Sequence, residues 1–178
     1  MSPFNLHDTA IAPPLSDVTP EKLKAVYSTF TTPHIQAFVY QWLSEGVPAV
    51  FRSNPFLFED LRSWIGTKVN VHPKCLILVG SARFGFSLGK DGYGRPFSSA
   101  SDLDFACIDT GFFMGCMIEA QKWQNDYQLN KVIPRSDIER QFWESNRELL
   151  DVHIRKGFIQ TDKIPAMRLY PKIQNILN

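Results

Sequence analysis

Asp102 and Asp104 stand one residue apart at the start of an apolar segment, residues 103–108. In a strand, side-chain alternation would put both carboxylates on one face, about 6–7 Å apart along the backbone. Two like charges at that distance repel by roughly 1–3 kcal/mol, so the pair calls for a cation. Oxygen donors alone favour Mg²⁺ or Mn²⁺, which carboxylates hold together with substrate phosphates. A second apolar run, residues 74–79, closes in Gly80-Ser81. There a glycine backbone can approach a phosphate, and serine offers a hydroxyl and an N–H. Arg83 follows at a distance suited to the same phosphate, with a bidentate guanidinium. Taken singly, these are an ordinary turn, an ordinary strand end and an ordinary surface arginine. In combination and in this order they point to metal-assisted phosphate chemistry.

The elements that must position these groups are legible from periodicity and punctuation. The first third reads as helical. Thr19-Pro20 and Thr32-Pro33 each set an N-cap before a first-turn proline. Ile35, Phe38, Val39, Trp42 and Leu43 recur at helical spacing up to a stop at Gly46. Asn54-Pro55 opens a third helix through Phe58, Leu61, Trp64 and Ile65, ended by Gly66. From Val69 the pattern changes to short β-branched runs: one strand over 74–79, a short helix or turn over 82–88, and a second strand over 103–108. Between them lies a polar loop with Gly89, Gly92 and Gly94. It reads as an exposed, glycine-hinged loop, with Lys90 and Arg95 able to reach phosphates and Tyr93 or Phe97 able to cover a base. A tolerated surface insertion is the competing reading.

A helix is expected over 112–130, with Met114, Met117, Ala120 and Trp123 on one side. Ser136-Asp137-Ile138-Glu139 is a capping box that opens another helix, through Phe142, Trp143, Leu149 and Leu150 to about Arg155, with Gly157 as its stop. The whole predicts an α+β domain: a small mixed β-sheet flanked by helices, with residues 1–66 as a helical N-terminal layer and 69–178 as the core and C-terminal helices.

Composition narrows the function classes. The 178 residues are 44% apolar, 21% charged and 13% aromatic, with 14 Phe, which predicts one globular, Phe-rich domain. No apolar run approaches the length of a membrane span, and the first nineteen residues lack the order of a signal peptide. Cys75, Cys107 and Cys116 have no metal-ligand spacing and read as reduced core thiols, which suits a cytoplasmic protein. His7, His34, His72 and His153 are dispersed. Net charge is +1, divided as −3 over residues 1–60 and +4 over 61–178. A mildly basic second part suits a phosphate-bearing ligand, or a solvated surface equally well.

The runs Val79-Gly80-Ser81-Ala82-Arg83-Phe84-Gly85 and Ser101-Asp102-Leu103-Asp104-Phe105 resemble the nucleotidyltransferase-fold superfamily. That group takes in polymerase-β-like enzymes and the minimal nucleotidyltransferases of bacterial toxin–antitoxin and phage-defence (antiviral) loci. The resemblance implies transfer of a nucleoside monophosphate from an NTP, ATP foremost, to a hydroxyl on a protein, an RNA end or a nucleotide. It implies that Gly80 and Ser81 hold the triphosphate and that Asp102 and Asp104 bind Mg²⁺ or Mn²⁺ and are catalytic; Arg83 and Ser101 are the further nucleotide-binding candidates. The pattern departs from the family in two ways. Twenty residues separate Ser81 from Asp102, more than is usual, and the excess is the Gly-rich loop. The third catalytic carboxylate has no clear counterpart. Asp151 is the best candidate if residues 149–154 form a strand; if they continue the helix it points to solvent. Asp126 and Asp162 are weaker. A nucleotidyltransferase-like domain that binds nucleotide or a protein partner without catalysis is the alternative. A third reading is a nucleic-acid-binding domain using Arg155, Lys156, Lys163, Arg168 and Lys172.

Overall fold

A computed structural model describes residues 18–165, 167 and 169–177. The helices α1 (Pro20–Tyr27), α2 (Thr32–Val39) and α3 (Pro55–Val69) precede strand β1 (Leu76–Val79) and the one-turn helix α4 (Gly80–Phe84). Strand β2 (Asp104–Cys107) follows, then α5 (Thr110–Gln128), α6 (Asp137–Arg155) and α7 (Pro171–Leu177). The protein is α+β, and among the described residues its sheet is narrower than the expected mixed one: β1 and β2, antiparallel. The Ile108 N–H donates to the Cys75 carbonyl at 2.7 Å, a register that sets Val79 opposite Asp104.

Local chemistry explains the boundaries. The Thr19 hydroxyl accepts from Lys22 N–H at the start of α1. α2 starts one residue earlier than its proline suggests: Thr31 is the cap, and its N–H donates to His34 Nδ1. A π-turn (Tyr40–Ser44) continues α2 to Gly46, which adopts φ +73. α3 is capped by Asn54, as its sequence predicts, but it runs through Gly66 to Val69. Gly66 is no stop. A Cβ there would lie 2.8 Å from the Val71 carbonyl oxygen, so the glycine admits the chain turning back over the helix.

The chain forms two compact units, one from residues up to 62 together with 76–106, the other from 63–75 together with 107–178. In the first, Leu23, Trp42, Phe84 and Phe86 make one buried cluster. Phe51, Phe58, Leu78 and Ala82 make another, against which Phe97 and Phe105 pack. In the second, Ala120, Trp123, Val132, Trp143, Leu150, Ile164, Tyr170 and Ile173 form the core.

Two expected stripes shift. On α5 the buried positions are Cys116, Ala120, Trp123 and Asp126, with Met114 exposed. On α6 they are Trp143, Asn146 and Leu150, with Phe142 and Leu149 exposed. Phe51, Phe58, Phe84 and Phe86 are buried in the first unit, in line with the Phe-rich expectation, and Trp42, Trp123 and Trp143 are fully enclosed, while Phe56, Phe142 and Phe158 face solvent. The three cysteines are free thiols. Among the described residues no helix is long and apolar enough to cross a membrane. His7, Arg168 and the stretch read for a signal peptide, apart from Val18 and Thr19, lie outside the described residues.

Candidate functional site

β1 delivers the chain to Gly80 with no intervening turn, and α4 begins at once. Gly80 adopts φ +66, a region that L side chains rarely enter. A Cβ on Gly80 would sit 3.0 Å from Asp104 Oδ2. The missing side chain is what lets the Asp104 carboxylate lie against the backbone where strand becomes helix. β2 supplies the other half. Phe105 turns into the Phe51/Leu78 cluster, so alternation aims Asp104 the other way, and its carboxylate is exposed. The structure thus brings Asp104 to the Gly80-Ser81 corner from more than twenty residues along the chain.

Asp102 is also exposed, but it precedes β2. Strand alternation therefore orients Asp104 and not Asp102. The approach to Asp102 is set by a serine turn. Ser98 N–H donates to Ser101 Oγ at 3.1 Å, Ser101 N–H to the Ser98 carbonyl at 2.9 Å, and Ala100 N–H to Ser98 Oγ at 3.3 Å. Ser101, expected to touch nucleotide, is a turn-closing residue here. Ser81 is half-buried and its carbonyl accepts from Gly85 N–H, which ends α4.

Arg83 does not face this corner as a phosphate ligand. It is 2% exposed, and its guanidinium donates from Nε to the Trp42 carbonyl at 2.6 Å and from Nη1 to the Gly46 carbonyl at 3.0 Å. Nη2 donates to the Glu45 carbonyl. These are the orphan acceptors at the end of the α2 π-turn, and one planar fork satisfies all three. Burial pulls the Arg83 pKa down, and the charge of Glu45 opposes that shift.

The candidates for a third carboxylate are accounted for elsewhere. Residues 149–154 are helical, and Asp151 is exposed on α6, accepting from Gln124 Nε2 at 3.0 Å. Asp126 is buried, accepts from Tyr170 Oη at 3.2 Å and pairs with Lys131 at 3.8 Å. Asp162 pairs with Lys163 at 3.0 Å. Among the described residues, no three His, Cys, Asp or Glu side chains converge as a metal-ligand set.

The Gly-rich segment is more ordered than its composition suggests. Phe86 and Pro96 form a β-bridge, Ser87 and Arg95 are joined by a 2.8 Å bond, and Phe97 N–H donates to Gly85. Tyr93, a candidate to cover a base, instead donates from Oη to the Pro20 carbonyl at 2.7 Å and packs edge-on to Phe86. Phe97 packs on the Phe51/Leu78 cluster. Lys90 and Arg95 keep exposed positions there, as does the outer part of Tyr93.

A pocket of about 460 Å³ in the second unit escapes sequence reasoning; its lining includes Tyr127, Val132, Arg140, Glu144, Arg147 and Glu148. The Arg140, Glu144, Arg147 spacing on α6 is its one visible signal, and that reads as a solvated helix face.

Compared with protein-family models, with curated proteins and with solved structures, the chain matches none.

Proposed function

We propose that the corner formed by Gly80, Ser81, Asp102 and Asp104 binds the metal-chelated triphosphate of an NTP, ATP foremost. There, a hydroxyl of a protein, an RNA end or a nucleotide gives up its proton and attacks the α-phosphorus. The α–β phosphoanhydride bond breaks, and nucleoside monophosphate is transferred as pyrophosphate leaves. The observation that carries this reading is the Asp104 carboxylate held against a positive-φ Gly80. It is the juxtaposition expected if a phosphate-approaching backbone and a metal-approaching carboxylate serve one ligand. On this reading the two-stranded sheet and α4 form a reduced nucleotidyltransferase-like core.

The donor set suits a hard divalent ion. Asp102 and Asp104 offer only oxygen, both are exposed, and among the described residues neither is ion-paired. Bound there, Mg²⁺ or Mn²⁺ would supply charge neutralisation at the triphosphate. The chain's own part is positioning. Gly80 leaves room for the phosphate, the serine turn holds the approach to Asp102, and the β1–β2 pairing fixes Asp104.

The second reading, nucleotide or partner binding without transfer, is favoured by two placements. Arg83 is committed to backbone carbonyls, and Asp151 lies on a helix facing Gln124. Incubation with each labelled NTP, Mg²⁺ or Mn²⁺ and cell extract separates the two. Label incorporated by wild type and lost in Asp102→Asn/Asp104→Asn supports transfer. A metal-dependent melting shift from NTP without incorporation supports binding alone, and absence of both defeats the site.

A further inference from the structure

Helix α6 carries two apolar stripes. One, Trp143, Asn146 and Leu150, is buried in the core of the second unit. The other runs Ile138, Phe142, Ser145, Leu149, Val152 along an adjoining face of the helix, and its large members are 82%, 43%, 46% and 36% exposed. The steps between these residues are four, three, four and three, the seam spacing of two helices packed side by side. A solvated helix face has no need of that pattern, and nothing in the core uses it.

We propose that a second copy of this chain docks on the stripe, the two α6 helices packing antiparallel about a two-fold axis at Ser145. Three features of the helix argue for its own copy as the occupant. The stripe is close to self-complementary: turned end for end about Ser145, Ile138 comes opposite Val152 of the second copy, and Phe142 and the second copy's Leu149 fall within one residue of facing each other. The smallest residue, Ser145, falls where the two axes come nearest. The ends carry opposite charge, Asp137 and Glu139 in the first turn against His153 and Arg155 in the last. Antiparallel packing therefore sets each acidic end beside a basic one, and it opposes the helix dipoles. Parallel packing would instead stack like charges at both ends.

Sedimentation velocity of the full chain over a wide concentration range tests this, with two exposed-site variants whose melting temperatures verify folding. The wild type is expected to shift from monomer to dimer with rising concentration. Phe142→Glu and Leu149→Lys should each weaken association at least tenfold. Mixed together, the two variants should associate again, because the antiparallel register sets the new glutamate against the new lysine and leaves one Leu–Phe contact intact. Ser145→Cys, which leaves the apolar stripe untouched, should yield an oxidant-dependent cross-linked dimer above the wild-type background. A wild type that stays monomeric overturns the proposal, as does a dimer indifferent to both charge variants. Failure of the mixture to associate, or of Ser145→Cys to cross-link, overturns it equally.

Discussion

An arginine just past a Gly-Ser turn has two competing uses, and burial decides between them. Enclosing a guanidinium costs several kcal/mol unless its donors are satisfied, and at Arg83 three carbonyls do so. Arg83→Met should therefore destabilise the protein by about 3 kcal/mol in urea unfolding, since it orphans those acceptors. Arg83→Lys should recover only part, because a single ammonium does not match a three-carbonyl fork. Nucleotide affinity per folded molecule should not change in either, and a selective affinity loss in well-folded Arg83→Lys would restore the phosphate role. Gly80 behaves oppositely. Gly80→Ala meets both the +66° φ and the 3.0 Å approach to Asp104 Oδ2, so it should cost about 1–2 kcal/mol and displace the carboxylate. The melting shift produced by Mg²⁺ with NTP should fall with it. A full shift in Gly80→Ala would move the ligand site elsewhere.

Among the elements, the segment between α4 and β2 departs furthest from its sequence reading. Three glycines in six residues predict freedom, yet each end of the loop is bonded and its tyrosine is anchored. Gly94 is needed for shape: it adopts φ +82, and a Cβ there would come 3.3 Å from Pro20 Cβ. Gly94→Ala should cost roughly 1–2 kcal/mol through backbone strain, and Tyr93→Phe about 1 kcal/mol through the lost hydrogen bond. Replacing residues 89–96 with a tight turn should lower the melting temperature, because that anchoring is lost. A shortened protein with unchanged stability would show that the loop is only a connection. α6 makes the converse point. Its capping box is realised, with Ser136 Oγ accepting from Glu139 N–H at 3.2 Å, so the helix forms and removes the strand that Asp151 required.

For the molecule as a whole, the apolar share of the sequence exceeds what the cores enclose. Each unit closes around its own aromatic clusters, and the chain passes between units within α3, at the start of β1 and within β2, so no single cut of the sequence separates them. The second unit also contributes to the protein's response to alkali. Burial pushes the Cys107 and Cys116 thiols from 9.0 up to about 11, with Asp109 and Glu119 adding to the respective shifts. A folded-state pKa above the unfolded one means the folded chain holds these protons longer. Their contribution to stability is whole below pH 9.0 and is lost as pH climbs to about 11. Burial and Asp126 raise Tyr170 as well, with the same sign at still higher pH. Melting temperature should hold from pH 7 to 9 and then fall, and Cys107→Ala/Cys116→Ala should flatten the first part of that fall. Neither thiol should react readily with iodoacetamide at pH 8, since little thiolate is present. Rapid alkylation of Cys116 at that pH would contradict the burial.

Most elements were legible because their signals are local. Thr19 and Ser136 cap helices through hydroxyls three residues away, Gly46 and Gly157 take up the left-handed backbone that ends a helix, and the short β-branched runs pair as strands. The α+β class is thus written in nearest-neighbour chemistry, whereas the meeting of the Gly-Ser corner with the Asp-led strand is a contact across more than twenty residues. Tertiary structure decided the rest, because burial and partner choice depend on groups far along the chain. Arg83 finds its acceptors 37 to 41 residues away, and Tyr93 finds Pro20 73 residues away. Which stripe of α6 turns inward was equally closed to sequence. Two apolar faces of one helix look alike until Trp123 takes Trp143 as its neighbour, ring centroids 5.9 Å apart, and leaves Phe142 outside.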